Sequence, residues 1–453
     1  MKKNKTEFSG LERLTDVYLV LLMTVLVFAV SPGGYLEINE VKKAVFYWLC
    51  GGYVSLTVLL YAEELLIGRR RAAELQEAAA SSSWTIKMLL VYLVLTLLSA
   101  FFSPHGKISW LGATRSEGAV TIGIYVLSAL MVSCFGRAKQ WHLHLLAATV
   151  AVQSAICILQ LNGGNPLGLY PEGVGWADAG KLYSGAYLGT IGNVDFLGAF
   201  FSLAVPLLLA ASLRLKTPWR FAWLAGAALA VYVMARMWVL SCLVGVIAGC
   251  TISLLVILPL PDQSRRRVLF LLLHAAVALI AIIFAVDFQA GPLHSLHELL
   301  HGRVPRAVDS GRLYIWKEVL LRVPKHLLLG TGPDTMALAD IPPFRRYDEG
   351  LGIEAVGYID AAHNQYLNVL YHQGAFALVA ELAALIALAL FWFRAGREKA
   401  APAILGTAVL CYSIQAFFNI STPFVSPLAW TVLGLLEGCR ERDIIQKKVR
   451  RSE

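Results

Sequence analysis

Charge is scarce in this chain. Only 15% of its 453 residues are Asp, Glu, Lys or Arg, while 57% are hydrophobic. A soluble domain carries about 25% charged residues. So little polar surface cannot cover a chain of this length in water, which excludes an ordinary soluble domain and points to a protein that crosses a bilayer several times. The seven cysteines never form C-x-x-C and mostly sit in apolar runs, which excludes a disulfide framework and a zinc knuckle. There is no D-x-D pair to hold a metal-bound nucleotide sugar. There is no Walker loop, because Gly330-Thr331-Gly332-Pro333-Asp334 lacks the Gly-Lys-Ser/Thr ending. Internal repeats and low-complexity stretches are also missing.

The net charge of +9 does not mark a nucleic-acid binder. The basic residues fall in short clusters between apolar runs, such as Arg69-Arg70-Arg71 and Arg265-Arg266-Arg267. No basic face is interleaved with aromatic residues, as single-strand binding requires. Clusters of this kind are the positive-inside signature. Apolar runs fall at 14–31, 42–63, 84–102, 119–136, 140–161, 193–213, 218–235, 238–260, 267–287, 375–393, 401–419 and 422–438. With about 20 residues needed per crossing, they predict an all-α polytopic membrane protein of about twelve spans. Placing Lys2, Lys3 and Lys5 in the cytoplasm puts about 24 of the Lys and Arg inside, and predicts both termini inside. The first run reads as an uncleaved anchor, with a signal peptide ending at Ala29-Val30-Ser31 as the alternative.

Three regions follow from this pattern: spans one to nine over 1–287, an extracytoplasmic loop over 288–374, and the last spans with a basic tail over 375–453. The loop is far longer than about 15 residues, the length beyond which a connection is functional or disordered. Its helical periodicity and its Trp and Tyr residues predict a folded unit. A second outer segment, 162–192, is rich in Gly and turn residues.

His297-Glu298-Leu299-Leu300-His301 spells the zinc-protease pattern H-E-x-x-H. Gly302 and Pro305 stop the helix soon after, and no third ligand follows at metzincin spacing. The alternative reading is the end of an amphipathic helix on the outer membrane surface.

The rest of the loop carries more chemistry. Asp309 or Ser310 can cap a helix that Gly311 opens, with Trp316, Val319, Leu320 and Val323 on one apolar face. Arg312 lies in its first turn, where a planar guanidinium adds to an anion-favouring helix end. Further on, Asp360 can cap a short helix that Gly374 breaks, with His363 near its start. A helix N-terminus disfavours imidazolium, so His363 is suited to act as a neutral base; the alternative is a packing or capping His. Arg236, in "VMARMWVLSC", sits between two spans at their outer end. An ionisable group there is either functional or a snorkelling Arg that marks the helix end. Arg115 and Glu117 lie in another outer loop, where they contact a ligand or form a plain ion pair at a helix start.

The order "GTIGNVDFLGAFFSLAVPL", "ARMW", "SGRLYIWKEVLL…LLLGTGPDTM" and "AHNQYLNVLYHQG" resembles the O-antigen ligase and O-antigen polymerase superfamily, bacterial membrane enzymes that handle lipid-linked glycans. The likeness is strongest over 183–375. Arg236, Arg312 and His363 match that family's proposed active residues. Ala235-Arg236-Met237 stands where the family often has S-R-G, and Gly192-Asn193-Val194-Asp195 where it often has G-N-x-N.

The resemblance implies transfer of a glycan from a polyprenyl diphosphate to an acceptor hydroxyl on the outer face of the cytoplasmic membrane. Arg236 and Arg312 would bind the diphosphate, and His363 would be the base. Tyr183, Asn193, Trp316, Asp360, Asn364 and Tyr366, with Arg115, are supporting positions. The expected partners are the lipid-linked donor, a glycan, lipid or protein acceptor, and membrane lipids, with no cofactor and no metal. A flippase for the same substrate is the competing class, and the zinc protease a more distant one. The motifs do not choose between polymerase and ligase.

Overall fold

The computed structural model describes residues 9–67, 82–182, 185–258, 260–288, 294, 297–298, 300–302, 311–348 and 353–452. The chain is an all-α polytopic membrane protein. Among the described residues, eight helices are long and apolar enough to cross a bilayer. They are α2 (Ile38–Leu66), α3 (Trp84–Phe102), α6 (Gln140–Leu161), α8 (Val194–Arg214), α9 (Arg220–Met237), α10 (Leu240–Ile257), α11 (Asp262–Ala285) and α14 (Ala375–Ala395). Two shorter apolar helices, α5 (Ala119–Phe135) and α15 (Ala400–Ala416), join them. The bundle is completed by α1 (Ser9–Leu21), prolonged by a π turn over Leu22–Leu26, and by α16 (Ser426–Ser452). Each apolar run of the sequence therefore coincides with a helix. Short helices lie between them, among the described residues α4 (Lys107–Leu111), α7 (Trp176–Leu182), α12 (Arg312–Arg322) and α13 (Gln365–His372). The strands among the described residues form two small antiparallel hairpins, Tyr187–Leu188 with Gly192–Asn193 and Phe344–Asp348 with Ile353–Gly357.

The centre of the bundle is α8. Of its most apolar stretch, 89% is buried inside the protein, against 6% for α11. The sequence dictates this: α8 carries small residues such as Gly198, Ala199, Ser202 and Ala204 that let neighbours approach. Lipid gives no hydrophobic drive between helices, so close van der Waals packing must hold them. The contact of α10 with α15 uses the same device. A Cβ on Gly245 would lie 2.7 Å from Gln415 Cβ, and one on Gly249 would lie 2.4 Å from Cys411 Sγ.

At some buried helix ends a side chain satisfies the backbone. Lys42, fully buried, donates to the carbonyls of Leu26 (2.6 Å) and Val27 (2.7 Å), which end the π turn after α1. Its Nζ thereby supplies the donor that the last carbonyls of that helix lack. Asn193 caps α8 and Asn364 caps α13. These caps, with the starts of α14 and α16 and the end of α15, gather at one end of the bundle.

Candidate active site

Two motifs meet through one indole. In α12, Trp316 lies one turn after Arg312 and so shares its face. Trp316 Nε1 donates to the Ala362 carbonyl at 2.9 Å, and the Ala362 N–H donates to Asn368 Oδ1 at 2.8 Å. The residue before His363 is thus held from both sides. Asn364, the residue after it, accepts from the N–H groups of Tyr366 (3.0 Å) and Leu367 (3.1 Å) to open α13. His363 itself has φ +47°, a left-handed conformation that a side-chain-bearing residue adopts only where its surroundings impose it. The helix cap is therefore Asn364, not Asp360, and His363 stands just outside the helix. The Asp309 and Ser310 caps lie outside the described residues; Gly311, at φ +74°, precedes α12 without a side-chain cap. The buried face of α12 is Ile315, Val319 and Val323 with Trp316 packed beside them, while Leu320 is 48% exposed. The packed stripe runs at four-residue spacing through Ile315, Val319 and Val323, which leaves Leu320 off it.

Four charged groups surround the imidazole. Arg115 Nη2 donates to Asp360 Oδ1 at 2.9 Å, and its Nε lies 2.9 Å from Oδ2. Arg312 Nη2 lies 3.8 Å from Asp195 Oδ1, while its Nε is buried without a hydrogen-bond partner. Asp195, in the first turn of α8, is held by its backbone: its N–H donates to Asn193 Oδ1 (2.8 Å) and its carbonyl accepts from Asn419 Nδ2 (2.8 Å). Burial lowers the pKa of His363 to about 4, with the guanidiniums of Arg115 and then Arg312 pushing the same way. Asp195 and Asp360 oppose them without prevailing. The ring is accordingly a neutral imidazole at physiological pH.

Beneath this cluster lies a carboxylate clamp. Asp334 Oδ2 accepts from the backbone N–H groups of Ala113 (2.7 Å), Arg115 (3.2 Å) and Glu117 (3.2 Å). It thereby fixes the loop that presents Arg115. Burial still raises the Asp334 pKa to about 6. Burial also raises Glu117 to about 8; its Oε1 accepts from Tyr125 at 2.5 Å. Arg115, Asp334, Asp360, Gln365, Asn368 and Ser421 line a cavity of about 30 Å³, room for a water molecule.

The structure brings Arg312, His363, Arg115, Asp360 and Trp316 together, with Asn364 and Asn193 as the caps that present them. Tyr366 is a strut: its hydroxyl donates to the Ser413 carbonyl at 2.8 Å. Arg236 ends α9 with its side chain exposed, and donates to Tyr232 Oη at 2.9 Å on its own helix. Three residues on, Val239 packs against Gly198 at the start of α8, so Arg236 stands at the level of Asp195 but on the outer surface. Tyr183 lies outside the described residues. Asp334 and Asn368 were not expected from the sequence, and Asp195 only as a departure from a motif. The signals were an Asp after Gly-Pro, a residue type that tolerates left-handed φ, and an acid in the first turn of a helix.

In the H-E-x-x-H stretch, His297 Nδ1 lies 2.8 Å from the Ile283 carbonyl, and His301 Nδ1 lies 2.9 Å from the His297 carbonyl. The His301 ring stacks on Phe284 with centroids 4.3 Å apart. Both rings are thus engaged at the end of α11. Among the described residues, no three His, Cys, Asp or Glu side chains are grouped to hold a metal ion.

An imidazole held neutral and a guanidinium with one unpartnered N–H thus share one end of a polytopic bundle. The family model described as O-antigen ligase matches residues 240–382. Over that segment the chain is similar to this family, and the match supports a membrane glycosyltransferase acting on lipid-linked glycans. The matched segment contains Arg312 and His363, while Arg115, Asp195 and Arg236 lie before it. No curated protein matches the chain.

Proposed function

We propose that His363 is the general base and Arg312 the main diphosphate-binding group of a glycan transfer at the outer face of the cytoplasmic membrane. The observation that carries this reading is the shared setting of the two side chains. A buried Arg312 Nε–H without a partner stands in the electrostatic surroundings of an imidazole held neutral. The donor is a glycan on a polyprenyl diphosphate; the acceptor is a hydroxyl of a glycan, lipid or protein. The acceptor oxygen attacks the anomeric carbon and the bond to the diphosphate oxygen breaks. The acceptor proton passes to His363 and from there to water. The electron pair stays on the lipid diphosphate, whose charge grows as the bond lengthens. A guanidinium fork stabilises that charge most in the transition state. Attack opposite the diphosphate inverts the anomeric centre.

Arg236 supports the same chemistry from a different position. Exposed at a helix end on the level of Asp195, it is suited to meet a diphosphate arriving in the bilayer interface. Arg115 is committed to Asp360 and acts on His363 through its field. About twelve spans, both termini in the cytoplasm and a catalytic unit over 288–374 complete the proposal. The guanidiniums supply the charge neutralisation that a metal provides in other transferases, so turnover persists in EDTA. The test uses purified protein in vesicles with lipid-linked glycan. His363→Ala should insert and accumulate yet lose transfer, and Arg312→Lys should be poor because an ammonium cannot reproduce the fork. Wild-type product from His363→Ala would remove the base assignment. Deleting the protein and analysing surface glycan distinguishes the acceptors: loss of the chain-length ladder means a polymerase, and intact polymer left on the carrier means a ligase.

A further inference from the structure

We propose that a cavity at the opposite end of the bundle is a binding site for one acyl chain of a bilayer phospholipid. The cavity has a volume of about 280 Å³ and lies between α1, α6, α8, α15 and α16. Its wall is apolar, with Met23, Leu146, Phe200, Ala204, Leu207 and Ile404 among the lining residues. A void of this size left empty would strip contacts from every wall and weaken the fold. Water does not fill it well, because a buried water needs two to four polar partners and this wall offers few. A dry engineered cavity of about 150 Å³ takes a benzene ring, so this one takes roughly ten to twelve carbons of chain.

Apart from Thr431 in the wall, the polar lining is gathered at one end, where Lys139, Gln140 and His142 open α6. Lys139 pairs with Asp16, and His142 Nε2 lies 3.5 Å from Asp16 Oδ1 without forming a hydrogen bond. His142 is only 9% exposed. An ammonium and a nearly buried imidazole at the mouth of an apolar cavity fit the ester and phosphate oxygens of a lipid whose chain lies inside. The mouth is beside Leu215, just past the C-terminal end of α8, whereas Asp195 is at the N-terminal end. The helix separates the two by about 30 Å. A donor whose diphosphate sits at Arg312 cannot present its head group at Lys139, so the occupant is a phospholipid and not the donor's own carrier.

The experiment reconstitutes the full chain in vesicles of phosphatidylglycerol and phosphatidylethanolamine with a trace of phosphatidylglycerol bearing a diazirine in its acyl chain. After irradiation, adducts are mapped by mass spectrometry. We expect adducts at Met23, Leu146 and Ile404, falling at least tenfold in Ala204→Phe, whose ring occupies the cavity. Adducts at Val379, which is 63% exposed on α14, should not change. Stripped of lipid, Ala204→Phe should melt above the wild type, and added phosphatidylglycerol should stabilise only the wild type. If Ala204→Phe does not accumulate, Leu207→Trp serves the same comparison. Absence of cavity adducts, equal labelling of the filled variant, or labelling by diazirine-bearing polyprenyl phosphate in place of the phospholipid would each overturn the proposal.

Discussion

Acidifying the enzyme tests the state of His363 directly. A base must be neutral to accept a proton. With its pKa lowered to about 4, the ring is about 99% neutral at pH 6, whereas an ordinary imidazole near 6.5 is only about a quarter neutral there. The acid limb of kcat/KM, which reports the free enzyme, should therefore fall near pH 4. The limb in kcat should lie higher, because a bound diphosphate favours imidazolium. The facing charges are Arg115, Arg312, Asp195 and Asp360, and they set the sign of each substitution. Arg115→Gln removes a cation and should raise the limb by about one pH unit; Asp195→Asn removes an anion and should lower it by about the same. The assay is glycan transfer in vesicles across pH 3.5–8. A wild-type kcat/KM limb at pH 6 or above would refute the reasoning, as would the two substitutions moving that limb in the same direction. Linkage gives a second readout. The unfolded imidazole takes a proton below about pH 6.5 and the folded one only below about 4, so this contribution to stability is complete above 6.5 and is lost as pH falls to 4. At about 1.4 kcal/mol per pH unit the loss is about 3 kcal/mol. It should be absent from His363→Gln, measured by thermal unfolding against the wild type at each pH.

Two structural substitutions test the frame around the site. Asp334→Ala leaves the N–H groups of Ala113, Arg115 and Glu117 without their acceptor and should cost about 3 kcal/mol. Asp334→Asn keeps an acceptor and should stay near wild type in thermal unfolding. Gly374→Ala places a Cβ 2.1 Å from the Leu328 carbonyl oxygen at a backbone with φ +88°. It should cost about 3 kcal/mol or more, read as loss of folded protein from membranes; normal accumulation would contradict the packing described.

The sequence by itself determined the membrane character and the helix positions, because a bilayer demands long apolar runs with internally bonded backbone and such runs can be read by eye. It also pointed to Arg312, Trp316 and His363, since each sits in a compact local motif. Tertiary structure alone decided the company they keep. Asp195 and Arg312 are far apart in the chain, as are Arg115 and Asp360, and no local pattern records that they pair. The capping role passed from Asp360 to Asn364 because Asp360 was already taken by Arg115. Asp334, which reads as a turn residue, became a clamp only when a distant loop turned three N–H groups toward it. Helix formation in lipid is a local matter of hydropathy and backbone bonding; the acidity of a buried imidazole is a sum over charges that only the folded chain brings near.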